Sequence, residues 1–154
     1  MAEHAFGFIF TLTQRIAVGN RMIKRGGGTD YPTLQGNDVQ HKTVGIVGIG
    51  RIGTIIAKLC HAFEMQVLAC DPYLTAEEIA ARGGSKVNLD ELIERPDLIT
   101  LHCPRTNETL GMLGATQFAR TKPNAYSSTP RAADCMSRRT SRGRLPKGGS
   151  PAAG

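Results

Sequence analysis

T-V-G-I-V-G-I-G-R-I-G-T-I-I-A-K-L-C-H-A-F-E-M-Q-V-L-A-C-D fills residues 43–71, and its reading decides the fold. A short apolar run (Val44, Ile46, Val47) meets Gly48-x-Gly50-x-x-Gly53. A helical pattern follows, then a second apolar run (Val67, Leu68, Ala69) and the acid Asp71. Strand, glycine turn, helix, strand and carboxylate in this order form a dinucleotide-binding unit. Gly48 lets the chain turn off the strand, Gly50 leaves the backbone open to a pyrophosphate, and Gly53 lets the helix lie close to the sheet. The helix opening near Arg51 turns its unpaired N–H groups and positive end toward that charge. Asp71 lies 18 residues past Gly53, close to the roughly 20 expected of the residue that accepts from the adenosine ribose. A carboxylate there repels a 2′-phosphate, and no Arg follows within Cys70-Asp71-Pro72-Tyr73. NAD is therefore the expected cofactor, ahead of NADP.

Composition fits a soluble domain. The chain has 154 residues, 40% hydrophobic and 21% charged, enough for one real core. No apolar run approaches the ~18 residues a membrane span needs. The apolar start A-F-G-F-I-F-T-L lacks a basic leader, so it is not read as a signal peptide, and a cytoplasmic place with no membrane partner is expected. Cys60, Cys70, Cys103 and Cys135 are widely spaced without ligand-like His spacing, so they read as reduced thiols and no metal is expected. The net charge of +6 is uneven: residues 1–126 carry 13 Lys/Arg against 12 Asp/Glu, whereas 127–154 carry six against Asp134 alone.

Outward from the glycine turn, residues 2–24 read as one helix, with Phe6, Ile9, Phe10, Thr13, Ile16, Ala17 and Met22 near one stripe. It either packs on a larger body or is a buried helix of this domain. Three glycines at 26–28 end it, and a loop is expected to about Gln40. Thr75 with Glu78 forms a capping box for a helix to about Arg82, and Gly83-Gly84 stops it. Asn88 caps a helix over 89–94 that Pro96 prevents from continuing. Residues 98–102 read as a buried strand, which places Cys103, Pro104 and the loop through Thr109 beyond its carboxyl end, where ligands sit in such sheets. Residues 115–120 read as a helix, and a strand is expected near Ala125. Instead of continuing, the sequence passes into Ser127-Ser128-Thr129-Pro130 and an Arg-, Gly- and Pro-rich tail with no periodicity, for which disorder is expected.

Over residues 2–126 the chain resembles the D-isomer-specific 2-hydroxyacid dehydrogenases. The resemblance rests on A-E-H-A (2–5), V-G-I-V-G-I-G-R-I-G (44–53), D-P-Y (71–73), L-D-E-L (89–92), L-H-C-P-R-T-N-E-T (101–109) and K-P-N-A-Y (122–126), in order and at family spacing. It implies an α/β fold, a Rossmann-type doubly wound parallel sheet, here incomplete, with an N-terminal helix and a disordered C-terminal tail. The division expected is 1–40 leading helix and connecting loop, 41–126 NAD-binding domain, and 127–154 basic tail. It implies cofactor contacts from Gly48, Gly50, Arg51, Ile52 and Gly53, from Asp71 and Pro72, and from Cys103, Pro104 and Thr109. The chemistry implied is hydride transfer between NAD and the C2 of a small 2-hydroxy or 2-keto acid, in an enzyme whose leading helix helps form a homodimer.

The family's catalytic Arg, Glu and His have no counterpart here. Arg131 is not in the family motif, His102 is not the family's base, and His4, His41 and His61 read as surface or packing residues. The chain alone is therefore expected to be inactive, with a non-catalytic NAD-binding module as the alternative. Permitted codons for 127–134, shifted by one base, spell Leu or Phe and then I-N-T-A-R-G-G, the family's next strand. The tail is accordingly read as out of frame after Tyr126, on a chain truncated relative to its family. That explains its arginines without nucleic-acid binding, which is not expected.

Overall fold

The computed structural model describes residues 1–26 and 31–128. Five parallel strands form one sheet in the order β3-β2-β1-β4-β5: β1 Thr43–Val47, β2 Gln66–Cys70, β3 Ser85–Lys86, β4 Leu98–Leu101 and β5 Tyr126–Ser128. The chain winds outward from β1 on one side, then crosses to β4 on the other. The switch between β1 and β4 opens a crevice beyond their carboxyl ends.

Side-chain alternation divides the core into two layers. Val44 and Ile46 of β1, Val67 and Ala69 of β2, and Leu98 of β4 face α1 (Ala2–Thr13) and α4 (Arg51–Ala62). Val47, Leu68, Ile99 and Leu101 face the other way, onto Leu92 and Ile93 of α6 (Leu89–Glu94) and Phe118 of α7 (Ala115–Ala119). In α4 the buried residues Gly53, Ile56, Ala57 and Cys60 recur at helical spacing, giving one apolar stripe against the sheet. Both anticipated caps form. Thr75 opens α5 (Ala76–Ala81) by accepting from Glu78 N at 3.2 Å, and Asn88 opens α6 by accepting from Glu91 N at 2.9 Å. Each such cap contributes about 1 kcal/mol.

The leading segment differs from its sequence reading. It is two helices, α1 and α2 (Ile16–Lys24), separated at Arg15, whose φ is 54°. The cause is tertiary. Asn37 N donates to Thr13 O at 2.8 Å, taking the carbonyl that a continuous helix would offer to its own next turn. α1 buries Ala2, Ala5, Phe6, Ile9 and Thr13 and packs against α4 and β5, so it is a core helix of this domain, whereas α2 buries no residue. The expected loop to Gln40 contains one further short helix, α3 (Tyr31–Leu34).

Two strands differ from the sequence reading, which has no β3 and has the strand near Ala125 fail to continue. β3 has only Ser85 and Lys86, both exposed, and carries no alternation. β5 forms over Tyr126–Ser128 where the sequence reading had the strand failing, pairing with Leu98–Thr100 of β4. Ser127 and Ser128 are thus buried sheet residues. The disordered, out-of-frame tail expected over 127–154 is therefore overturned as to disorder at 127–128, and the rest of it, Arg131 and Cys135 included, lies outside the described residues.

Candidate dinucleotide site

Gly48 is the point at which three strand ends meet. Its N–H donates to Cys70 O at the end of β2 (2.9 Å), and the neighbouring Val47 O accepts from His102 N just past β4 (2.8 Å). Its φ of +84° is open to glycine, and a Cβ there would lie 2.8 Å from Cys103 N. Any side chain would both strain the turn and push the β4 end away. Gly53 is required for a different reason: a Cβ on it would fall 2.5 Å from Gly48 O, so the first turn of α4 rests directly on the glycine loop.

Gly50 caps α4 without a side-chain hydrogen bond, and the first turn of the helix holds no acid. The first-turn N–H groups therefore have no side-chain cap at the positive end of a 12-residue helix, which opens with exposed Arg51 and half-buried Ile52. Around the Cα of exposed Gly50 nothing lies within 4 Å of where a Cβ would be, which leaves room for a bulky anion.

Asp71 is brought to the same place. Its Oδ2 accepts from Ile49 N (3.2 Å) and its Oδ1 from Tyr73 N (3.1 Å). An ionised carboxylate has about four acceptor positions, so these two bonds leave capacity for ribose hydroxyls. Pro72 beside it is exposed, and Tyr73 is 79% exposed with its OH donating to Glu108 Oε2 at 3.3 Å, so the loops after β2 and β4 touch across the mouth.

The β4 side supplies Cys103, half-buried behind Gly48, and an exposed Pro104. Thr109 is largely committed to its own loop. Its Oγ1 donates to Pro104 O at 2.7 Å and accepts from Thr106 N at 2.8 Å. It shapes the wall more than it offers a free hydroxyl. His102 lies at the same strand end, its Nε2 2.9 Å from Thr100 Oγ1, and burial pushes its pKa down to about 4. A neutral ring already held by Thr100 is poorly placed to exchange protons with a ligand.

Sequence reasoning missed one group at this site. Arg82, just past α5, donates from Nη1 to Ile49 O at 2.8 Å, beneath the glycine turn. Only the fold brings residues 33 positions apart together there. Elsewhere, a cavity of about 630 Å³ opens at the amino end of the sheet, lined by Thr13, Asn37, Asp97, Lys122 and Tyr126 among others. It has neither a glycine turn nor a helix N-terminus. Among the described residues no group of three or more His, Cys, Asp or Glu side chains is placed to hold a metal ion, and no helix is long and apolar enough to cross a membrane.

The family described as "D-isomer specific 2-hydroxyacid dehydrogenase, NAD binding domain" matches residues 6–127. D-3-phosphoglycerate dehydrogenase of Archaeoglobus fulgidus is 38% identical over 121 residues, which are 79% of this chain and 23% of that protein. Among solved structures, an acyclic imino acid reductase (Bsp5) in complex with NADPH and D-Arg superposes with a TM-score of 0.81 at 27% identity, covering 90% of this chain and 44% of that one. NAD-dependent formate dehydrogenase from Staphylococcus aureus, in complex with NAD, gives 0.79 at 28% identity, covering 90% and 41%. The chain thus spans about a quarter of the length of the curated relative and under half of each structure. Residues 6–127 are an NAD-binding domain, and the chain belongs to the D-isomer-specific 2-hydroxyacid dehydrogenase family.

Proposed function

We propose that NAD lies across the carboxyl ends of β2, β1 and β4. The pyrophosphate rests over Gly48, Gly50 and Gly53 against the backbone N–H groups of Arg51 and Ile52. The adenosine ribose is held by Asp71 beside Pro72, and the far half of the cofactor runs along Cys103, Pro104 and Thr109. The observation that carries this reading is the hydrogen bond from Ile49 N to Asp71 Oδ2, which joins the glycine turn to the acid across 22 residues of sequence. Asp71 also favours NAD over NADP, because a 2′-phosphate would meet its charge.

Bound NAD supplies a hydride acceptor, or a donor when reduced. In the whole protein, hydride passes between NAD and the C2 of a small 2-hydroxy or 2-keto acid, in a cytoplasmic homodimer. Support for self-association comes from Phe8, Ile16 and Ile23, which are 42%, 53% and 66% exposed on the two leading helices. For the isolated chain the reading is cofactor binding without turnover, since the catalytic Arg, Glu and His that the resemblance implies have no counterpart in this sequence.

Fluorescence titration of the purified chain with NADH and NADPH tests this. Binding of NADH, tighter than NADPH, is expected. Asp71→Ala should weaken NADH by about 10- to 30-fold, the value of one or two hydrogen bonds to a charged group, and narrow the gap to NADPH. No NADH binding by a folded chain, or turnover of a 2-hydroxy acid by it, contradicts the reading.

A further inference from the structure

Ile49, between the first two glycines of the turn, is held at both ends of its backbone. Its N–H donates to Asp71 Oδ2 at 3.2 Å, and its carbonyl accepts from Arg82 Nη1 at 2.8 Å. The Ile49 side chain is fully buried. Arg82 is half-buried and its backbone is fixed by the turn that follows. Gly83 O lies 2.7 Å from His61 Nε2 of α4, and a Cβ on Gly84 would come within 3.1 Å of Ile49 Cδ1. Packing on both sides therefore fixes where the guanidinium reaches. A guanidinium does not lose its proton in a protein, so the donor is permanent.

The consequence follows from peptide geometry. All the described peptide bonds are trans, and in a trans peptide the carbonyl and the next N–H point in opposite directions. Drawing the Ile49 carbonyl inward, toward Arg82, turns the Gly50 N–H outward to the exposed side of the turn. Thr54 Oγ1 also reaches the Ile49 carbonyl, at 3.4 Å, but its shorter bond goes to Gly50 O at 2.8 Å, so without Arg82 the Ile49–Gly50 peptide, flanked by a glycine, is held far less firmly.

We infer that Arg82 is a positioning residue for the cofactor's phosphates: it sets the Ile49–Gly50 peptide so that the Gly50 N–H joins those of Arg51 and Ile52 facing the pyrophosphate. The inference rests on the cofactor placement proposed above. Arg82 itself touches the turn and not the ligand.

The test compares wild type with Arg82→Met, which keeps an aliphatic stem and removes every donor, and with Arg82→Lys, which restores one. NADH, ADP-ribose and adenosine are titrated against each, the last by competition, with thermal midpoints measured alongside. Arg82→Met should weaken NADH and ADP-ribose about tenfold while leaving adenosine, which lacks the pyrophosphate, within about twofold. Arg82→Lys should recover most of the loss. Arg82→Gln, whose shorter chain falls short of the carbonyl, takes the place of Arg82→Met if that variant does not fold. A merely structural Arg82 would lower the thermal midpoint and shift all three ligands together, or none, and either result overturns the inference. If wild type binds none of the three, the cofactor placement fails first. If wild type binds and the donor-less variant matches it, only the role of Arg82 falls.

Discussion

The two ends of the sheet use the same kinds of groups to opposite effect. At the amino end, Asp97 closes the structure: its Oδ2 accepts from Thr43 N at 2.9 Å and its Oδ1 from Lys122 Nζ at 2.8 Å. The start of β1, the start of β4 and the approach to β5 are thereby tied together. At the carboxyl end, Asp71 takes two backbone N–H groups and keeps acceptor capacity, while α4 presents uncapped donors to an open crevice. One carboxylate is spent on holding strands, the other on shaping a site. The difference arises from what surrounds each acid, a lysine and a strand start in one case, a glycine turn and a helix N-terminus in the other.

The sharpest way to break this contrast is at Gly53. Gly53→Val places a branched side chain against Gly48 O, where even a Cβ would come to 2.5 Å. The helix must lift from the turn, and we expect NADH affinity to fall by more than about 100-fold, with a loss of stability of about 1–3 kcal/mol from overpacking. Calorimetric titration together with thermal melting checks both parts. Retained affinity would mean that the turn is not what holds the cofactor.

Protonation separates the ends by pH. Burial depresses His102 to about 4, below its ordinary value, so the unfolded chain takes up a proton that the folded one refuses. Stability should fall as pH drops from about 6.5 to about 4, by up to about 3 kcal/mol. His102→Gln should flatten that slope in urea melts across the window. Asp97 behaves otherwise. Burial pushes its pKa up, but the hydrogen bonds from Lys122 and the Thr43 N–H outweigh this and hold it below the usual carboxylate value. Its contribution is complete above the ordinary Asp range and is lost progressively as pH falls from that range through the depressed value. An acid-induced loss that sets in within the ordinary Asp range in wild type, and that Asp97→Asn removes, would place that signal at the amino end.

The smallest effect is also the most discriminating. Asp97→Ala removes the bonds from Thr43 N and from the partly exposed Lys122 Nζ and should cost about 1–2 kcal/mol, yet leave NADH affinity unchanged to within about twofold. A matched fall in affinity would show that the two ends are coupled through the sheet.

Much of the fold was legible because its signals are local. The short apolar runs of β1, β2 and β4, the stripe of α4, the capping boxes at Thr75 and Asn88 and the stop at Pro96 each depend on neighbours within a few positions. The glycine spacing and Asp71 were legible for the same reason, since a strand-turn-helix-strand unit carries its own ligand signature. The break at Arg15, the two-residue β3 and the completion of β5 were not. Each depends on a hydrogen-bonding partner far along the chain: Asn37 for the end of α1, Leu68 and Ala69 for β3, and Leu98 to Thr100 for β5.

The sequence by itself determined the family and the nucleotide-binding order of elements, because these are written in residue type and short spacing. Only the tertiary structure decided that Thr109 is committed to its own loop, that His102 is neutral, and that Arg82 reaches beneath the glycine turn. The physical reason is one of range. Backbone preference and periodicity act over a few residues, whereas burial and hydrogen-bond partnership depend on which distant segments the packed sheet brings side by side.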